Sequence, residues 1–315
     1  QGGVIRAAAQ VDVILGKLDA GAGALSVNAI TGSILGNGSA SIDLAGGDLR
    51  LVAGDAVGAS GEHLDTAVDK GAAQAGAGGI HLTDSDALAV GAVSAVSFSR
   101  VQSSGAALIR EDASLTGLVT DSGDGNIVQQ TLGGNLTVDA QVSANGSGNI
   151  RLSAGGAGMN LEIRAAVSSQ TGHITLVGQM DLIQSSTGGI TTSGGSIDAM
   201  AVDGSIDMDN RATAATGGGF ILYEAAVNVG LGGLNAGAGN VSVIAAAGSI
   251  TDNGDTYRDV IAASLRLVAG LNIGVVSSLD TAVETLAAHA VNGGVSIIEA
   301  DEVVVATVAG IQGNR

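Results

Sequence analysis

The sequence predicts an all-β fold, a right-handed parallel β-helix (β-solenoid) of about 13 coils at sequence steps of 23–24. Three observations predict it: a glycine-led tripeptide that recurs at that step, a second repeat at an offset of 216, and a composition that can only build a thin core. Repeats at such periods are the mark of architectures in which each unit buries its apolar face against its neighbours.

The short period is carried by Gly, any residue, then Ile, Leu or Val. It occurs as GAL at 23 and GDL at 47, and as GNI at 125, GNI at 148, GHI at 172 and GSI at 195. A further copy often follows nine positions on, as at 23 and 32 or 195 and 204, the distance of one strand and one turn. The segments that follow alternate. In GNIRLSAG, Ile150 and Leu152 fall on one face and Arg151 and Ser153 on the other; in GDLRLVAG, Leu49 and Leu51 point inward and Arg50 outward. Gly, Asn, Ser and Asp bound these strands and supply the tight turns.

The long period starts with LDAGAGALSVNAITGSILGNG at Leu18, matched by LNAGAGNVSVIAAAGSITDNG at Leu234. LRLVAG at 49 returns at 265 with the same offset, and Leu265 and Leu267 repeat the inward choice with Arg266 outward. After a single deletion near Gly61, LDTAV at 64 returns at 279. The stretch 11–100 thus matches 227–315, and an offset of nine short steps predicts nine coils between the copies. The whole of 1–315 reads as one continuous solenoid, either a segment of a longer chain or a fibre protomer. Two windows, 62–76 and 278–290 (SLDTAVETLAAHA in the second), have helix-like apolar spacing, so a short helix or a loop excursion is expected there.

Composition agrees. Of 315 residues 52 are Gly; there is no Pro, Cys or Trp, and the only aromatic rings are Phe98, Phe220, Tyr223 and Tyr257. Such an interior is predicted to be thin and ring-free, filled by Val, Ile, Leu and Ala in similar layers. At ~4.8 Å per coil the shaft would be roughly 60 Å long. A formal charge of −18 excludes nucleic acid as a partner, since phosphate needs clustered Lys and Arg. No apolar run approaches the length of a membrane helix, so no membrane insertion is expected.

Candidate chemistry is sparse. Carboxylate pairs, Asp84 with Asp86 and Asp207 with Asp209, share strand faces and would suit general acid–base cleavage of a polysaccharide, but outward Asp that solubilises a solenoid is the stronger account. His63, His81, His173 and His289 form no HxH or HExxH spacing and read as single outward residues in turns. DSGDGN places Asp121, Asp124 and Asn126 two and three positions apart in a Gly loop, which makes them candidate calcium ligands; TDNGD at 251–255 is a looser version. No other cofactor and no catalytic residue is implied.

Runs such as GNIRLSAGG, GGNLTVDA, GHITLVGQ and GSITDNG resemble the tandem repeats of giant bacterial surface exoproteins of the filamentous haemagglutinin kind. That resemblance implies export to the bacterial cell surface or medium and work as an adhesin, stalk or matrix component. The expected function is therefore a non-enzymatic structural or adhesive shaft that self-associates end to end or side by side and meets an unidentified surface receptor. The alternatives are a polysaccharide-active β-helix enzyme and a calcium-dependent extracellular module.

Overall fold

The computed structural model describes residues 3–39, 41–254 and 257–308. Asp255, in the looser calcium motif, lies outside the described residues, as does the last stretch of the long repeat, 309–315. Thirty-two strands join in one sheet, every pairing within it parallel, and wind into a solenoid; two small antiparallel pairs stand apart from it. Through the middle, each coil holds one five-residue strand and two three-residue strands, as in Ile174–Gly178, Leu182–Gln184 and Ile190–Thr192.

Inward residues stack on their equivalents one coil away. One ladder runs Ile80, Ile127, Ile150, Ile174, Ile197, Ile221, each paired with the next. All six are at most 2% exposed. A second ladder starts at Ala7 and reaches Glu299 through thirteen layers, by way of Val27, Leu51, Ala73 and Leu118. Burial of each Ile or Leu contributes about 1.5–3 kcal/mol, and the repetition of that contribution replaces the single large core of a globular domain.

The middle residue of the glycine-led tripeptide has a specific task. At one corner the side chain of each such residue accepts the backbone N–H of its equivalent one coil on: Asn126 Oδ1 from Asn149 at 2.8 Å, Asn149 Oδ1 from His173 at 2.8 Å, His173 Nδ1 from Ser196 at 3.0 Å. A second corner repeats the device from Asn135 through Asn160, Asp181, Ser205, Asn228, Ser249 and Asn272 to the N–H of Gly294. Turn N–H groups that the parallel ladder leaves unpaired are satisfied this way, each at a net gain of about 1 kcal/mol.

Four expectations about the fold need correction. The windows at 62–76 and 278–290 contain no helix: they hold the two longest strands, Leu64–Ala75 and Leu279–Ala290. Each strand crosses a corner, where the inward set slips by one position. Leu279, Val283, Leu286 and Ala290 therefore fall at the spacing of a helical face while lying on two faces of a solenoid.

The second correction concerns the excursion, which lies at 92–116. There the chain leaves the coil as an antiparallel hairpin, Val96–Val101 against Ala107–Asp112, with Ala92–Val93 and Leu115–Thr116 as its stem. The stem closes on two glycines. Gly117 N–H donates to Gly91 O at 3.0 Å, and Gly117 O accepts from Ala73 N–H at 2.9 Å, so the layer continues as though the hairpin were absent. Gly117 has φ 75°, and a Cβ there would lie 2.0 Å from the Gln141 carbonyl oxygen.

The hairpin is as long as a coil but adds none, which corrects the count between the two long copies. Eight steps up the ladder from Val27 arrive at Leu234. The repeat-equivalent of Val27 is Val243, on the next strand of the same turn, where it pairs with Tyr223. The repeat is eight coils and one strand, and the second copy is turned by one face relative to the first.

The core also holds one ring. Tyr223 is fully buried, accommodated because the residue one coil before it is Ala199, and its hydroxyl donates to Gln184 Oε1 at 3.1 Å. The Gln184 amide donates in turn to the carbonyls of Gly188 and Thr213 at 2.8 and 2.9 Å.

Candidate functional site

The three candidate calcium ligands turn different ways. Asp121 Oδ2 accepts from the Gln74 amide at 2.8 Å, Asp124 Oδ1 from Ser147 N–H at 2.7 Å, and Asn126 Oδ1 from Asn149 N–H at 2.8 Å. Each spends a side-chain oxygen on a protein donor. With its Oδ1 already accepting a backbone N–H, Asn126 has its NH2 end as the wholly uncommitted group.

The carboxylates divide. Asp207 and Asp209 are exposed, as expected of solubilising groups, and so is Asp86. Asp84 is wholly buried, which overturns its reading as an outward residue. Its Oδ2 accepts the Thr66 hydroxyl at 2.6 Å and Val68 N–H at 3.2 Å; its Oδ1 accepts Asp86 N–H at 3.1 Å. Burial pushes the Asp84 carboxyl up to about 7 against the pull of those three donors. Glu299 reproduces the arrangement in the second copy, accepting from Thr281 Oγ1 at 2.7 Å and Val283 N–H at 3.1 Å.

Stacking brings together a carboxylate pair that the sequence places a coil apart. Asp198 pairs with Leu222, and Glu224, two positions on, shares its outward face one layer above. Burial raises the Asp198 carboxyl, the Glu224 charge adds to that rise, and Arg151 opposes it. Asp198 Oδ1 and Glu224 Oε2 are buried without a hydrogen-bond partner. The cavity beside Glu224 is apolar, bounded by Met200, Ala201, Val202, Ala225, Ala226 and Ala246, and offers none of the hydroxyl and amide partners that hold a sugar ring.

Three histidines far apart in sequence meet in one groove of about 420 Å³. His63, His81 and His173 line it with Ser60, Asn126, Asn149, Arg151 and Thr175. The rings of His63 and His81 lie 5.8 Å apart, tilted by 51°. His81 is on strand Gly79–Asp84 and 5% exposed, not an outward turn residue. Burial lowers both imidazoles; Asp65 partly restores His63, and the His63 charge lowers His81 further. Sequence spacing hid this group because stacking, rather than local order, sets the contacts. Among the described residues no three His, Cys, Asp or Glu side chains are placed to hold a metal ion.

The most connected polar cluster lies under the hairpin. Asp112 accepts Arg6 Nε at 2.8 Å and Arg6 Nη2 at 3.1 Å, together with Ser26 Oγ at 2.8 Å and Asn28 Nδ2 at 3.1 Å. Arg50 Nε donates to Ala113 O at 2.7 Å and Arg50 Nη1 to Asn28 Oδ1 at 2.6 Å. The Arg6 guanidinium also stacks on Phe98, 4.6 Å from the ring centre. Burial would raise the Asp112 carboxyl, but the Arg6 and Ser26 bonds and the two arginine charges outweigh it and leave it below its ordinary value. Arg6, Ser26 and Arg50 stand in register on three successive coils, so the cluster fastens the hairpin back across layers already passed.

No family model matches the chain, and neither a curated protein nor a solved structure matches it.

Proposed function

We propose that this chain is a non-enzymatic shaft of an extracellular bacterial repeat protein, a stiff stalk or fibre element for surface attachment or matrix. The observation that carries this reading is the run of thirteen layers without a break in the inward ladder, even where the segment 92–116 leaves the coil. Stiffness follows, because bending would stretch parallel hydrogen bonds and side-chain ladders on one face together. The charge of −18 keeps such a body soluble and discourages lateral strand pairing. The repeat grammar that resembles filamentous haemagglutinin-type exoproteins supports surface or extracellular placement. Self-association end to end or side by side is part of the proposal.

Electron microscopy of the purified chain over a range of concentrations, with sedimentation, tests the reading. Stiff rods that lengthen or bundle with concentration are expected. Depolymerisation of an acidic polysaccharide that disappears in both Asp198→Asn and Glu224→Gln would replace the shaft by an enzyme.

A further inference from the structure

The groove lined by His63, His81, Arg151 and His173 runs against the acidic charge of the molecule as a whole. Among the described residues none of those lining it is acidic, in a chain with 30 acids and 12 bases. Two carboxylates act on it from outside: Asp65 on His63, and Asp198, which feels the Arg151 charge.

The hydrogen-bond pattern fixes which way its polar groups face. Asn126 and Asn149 each give Oδ1 to a backbone N–H of the next coil, so each is left with an Nδ2 amide that has no protein partner among the described residues. His173 Nδ1 accepts Ser196 N–H at 3.0 Å, which fixes the proton of the neutral ring on Nε2 and makes the free side of the imidazole a donor. Arg151 stands outward between Val128 and Thr175 and makes no hydrogen bond or close ion pair among the described residues, so all five of its N–H groups are uncommitted. Ser60 and Thr175 add hydroxyls. His81 Nδ1 is buried with no partner at all, in a residue only 5% exposed. A polar nitrogen in that position is unfavourable unless something hydrogen-bonds to it.

We infer that this groove is an oxyanion site: it takes a carboxylate, sulfate or phosphate group of a ligand, held by the Arg151 guanidinium, the His173 Nε2–H and the amide ends of Asn126 and Asn149. Each group whose orientation the structure fixes is a donor, and a ligand rich in acceptors and carrying negative charge is what such a set recognises. A cation would face the Arg151 guanidinium with no carboxylate in the lining to offset it. The asparagine ladder thus serves two ends at once: its oxygens hold the coils together, and its amides line the groove.

The test uses the full chain at constant ionic strength, titrated separately with sodium sulfate, sodium phosphate and sodium acetate, and read by side-chain ¹⁵N–¹H signals of Arg and His and by calorimetry. Saturable binding of at least one anion, with shifts confined to Arg151 and the three groove histidines, is expected. Which anion binds most tightly separates a tetrahedral group from a carboxylate. Arg151→Gln should weaken binding at least tenfold. His173→Asn should weaken it several-fold while leaving the fold intact, because Asn is the residue that occupies this corner one and two coils below. Arg164→Gln, distant from the groove, serves as control. Absence of saturation with all three anions overturns the inference, and so does equal binding by the parent, Arg151→Gln and His173→Asn.

Discussion

Arg50 and Arg266 hold the same place in one repeated phrase, yet they face different sides of the shaft. Arg50 continues the row Arg6–Ser26–Arg50, is 8% exposed, and is tied to Ala113 and Asn28 beneath the hairpin. Arg266 continues the row Leu222–Ser242–Arg266 on the face that also carries Arg151, and among the described residues bonds only to Ser242 Oγ at 3.3 Å. Leu222 and Ile244 replace Arg6 and Asn28, the other members of the clamp. Arg50→Ala should therefore cost about 1.5–3 kcal/mol, as loss of a charge-assisted bond leaves Asn28 and the Ala113 carbonyl unmet, whereas Arg266→Ala should change stability by less than about 0.5 kcal/mol. Thermal melts of both variants, with hydrogen exchange across 92–116, check this: faster exchange of the hairpin is expected in Arg50→Ala alone.

Asp84 makes stability depend on pH in an unusual sense. An acid whose folded pKa lies above its unfolded value keeps its proton longer in the native state. Its contribution is complete below pH about 4, the unfolded value, and is lost as pH rises through about 7. The loss is on the order of a few kcal/mol. Urea unfolding at pH 4.5 and pH 8 should show a smaller difference in Asp84→Asn than in the parent; an identical difference would remove Asp84 as the cause.

Tyr223 and Gln184 form the one polar crossing of the upper core that depends on a ring. Tyr223→Phe keeps the ring between Ala199 and Val243 but strands Gln184 Oε1, and should cost about 1–3 kcal/mol. Ile174→Ala, which removes one rung of the isoleucine ladder, should cost about 2–5 kcal/mol. Chemical denaturation of both variants gives the comparison. If Tyr223→Phe proved neutral, the hydroxyl would not be contributing.

Calcium makes a separate prediction. Asp121, Asp124 and Asn126 already hold Gln74, Ser147 and Asn149, so the melting temperature should stay the same in millimolar calcium and in chelator. A rise with free calcium would show that these residues give up their protein partners for the ion.

The strand ladder was legible because inward residues repeat at two nested periods, and Leu49, Leu51, Leu265 and Leu267 all face inward as their alternation predicts. Alternation says which residues face in, but not where a strand turns a corner. The slip between Val68 and Gly71, repeated between Val283 and Leu286, therefore imitated a helix. The hairpin was hidden for a different reason. The segment 92–116 is close to one coil in length, so a period count passes over it, and the two long copies look nine coils apart when they are eight coils and one strand apart. The histidine groove and the Asp198–Glu224 pair were out of reach because each joins separate coils, and a sequence spacing fixes neighbours on one strand rather than across a stack.

The hairpin supplies the sharpest test of that architecture. Gly91 N–H donates to Gly71 O at 3.1 Å, and Leu118 resumes pairing with Ala73, so the solenoid hydrogen bonds run past the insertion on both sides. Joining Gly91 to Gly117 directly removes the segment 92–116 and should leave one cooperative unfolding transition. The loss of the Arg6–Asp112 pair and of the Ala113 acceptor should lower stability by about 1–4 kcal/mol, more than surface ion pairs usually contribute because Asp112 serves four donor atoms at once. The deleted chain should also expose Arg50, which hydrogen exchange and guanidinium ¹⁵N shifts will report. Collapse into two separate transitions would mean that the hairpin, and not the ladder beside it, couples the first four coils to the rest.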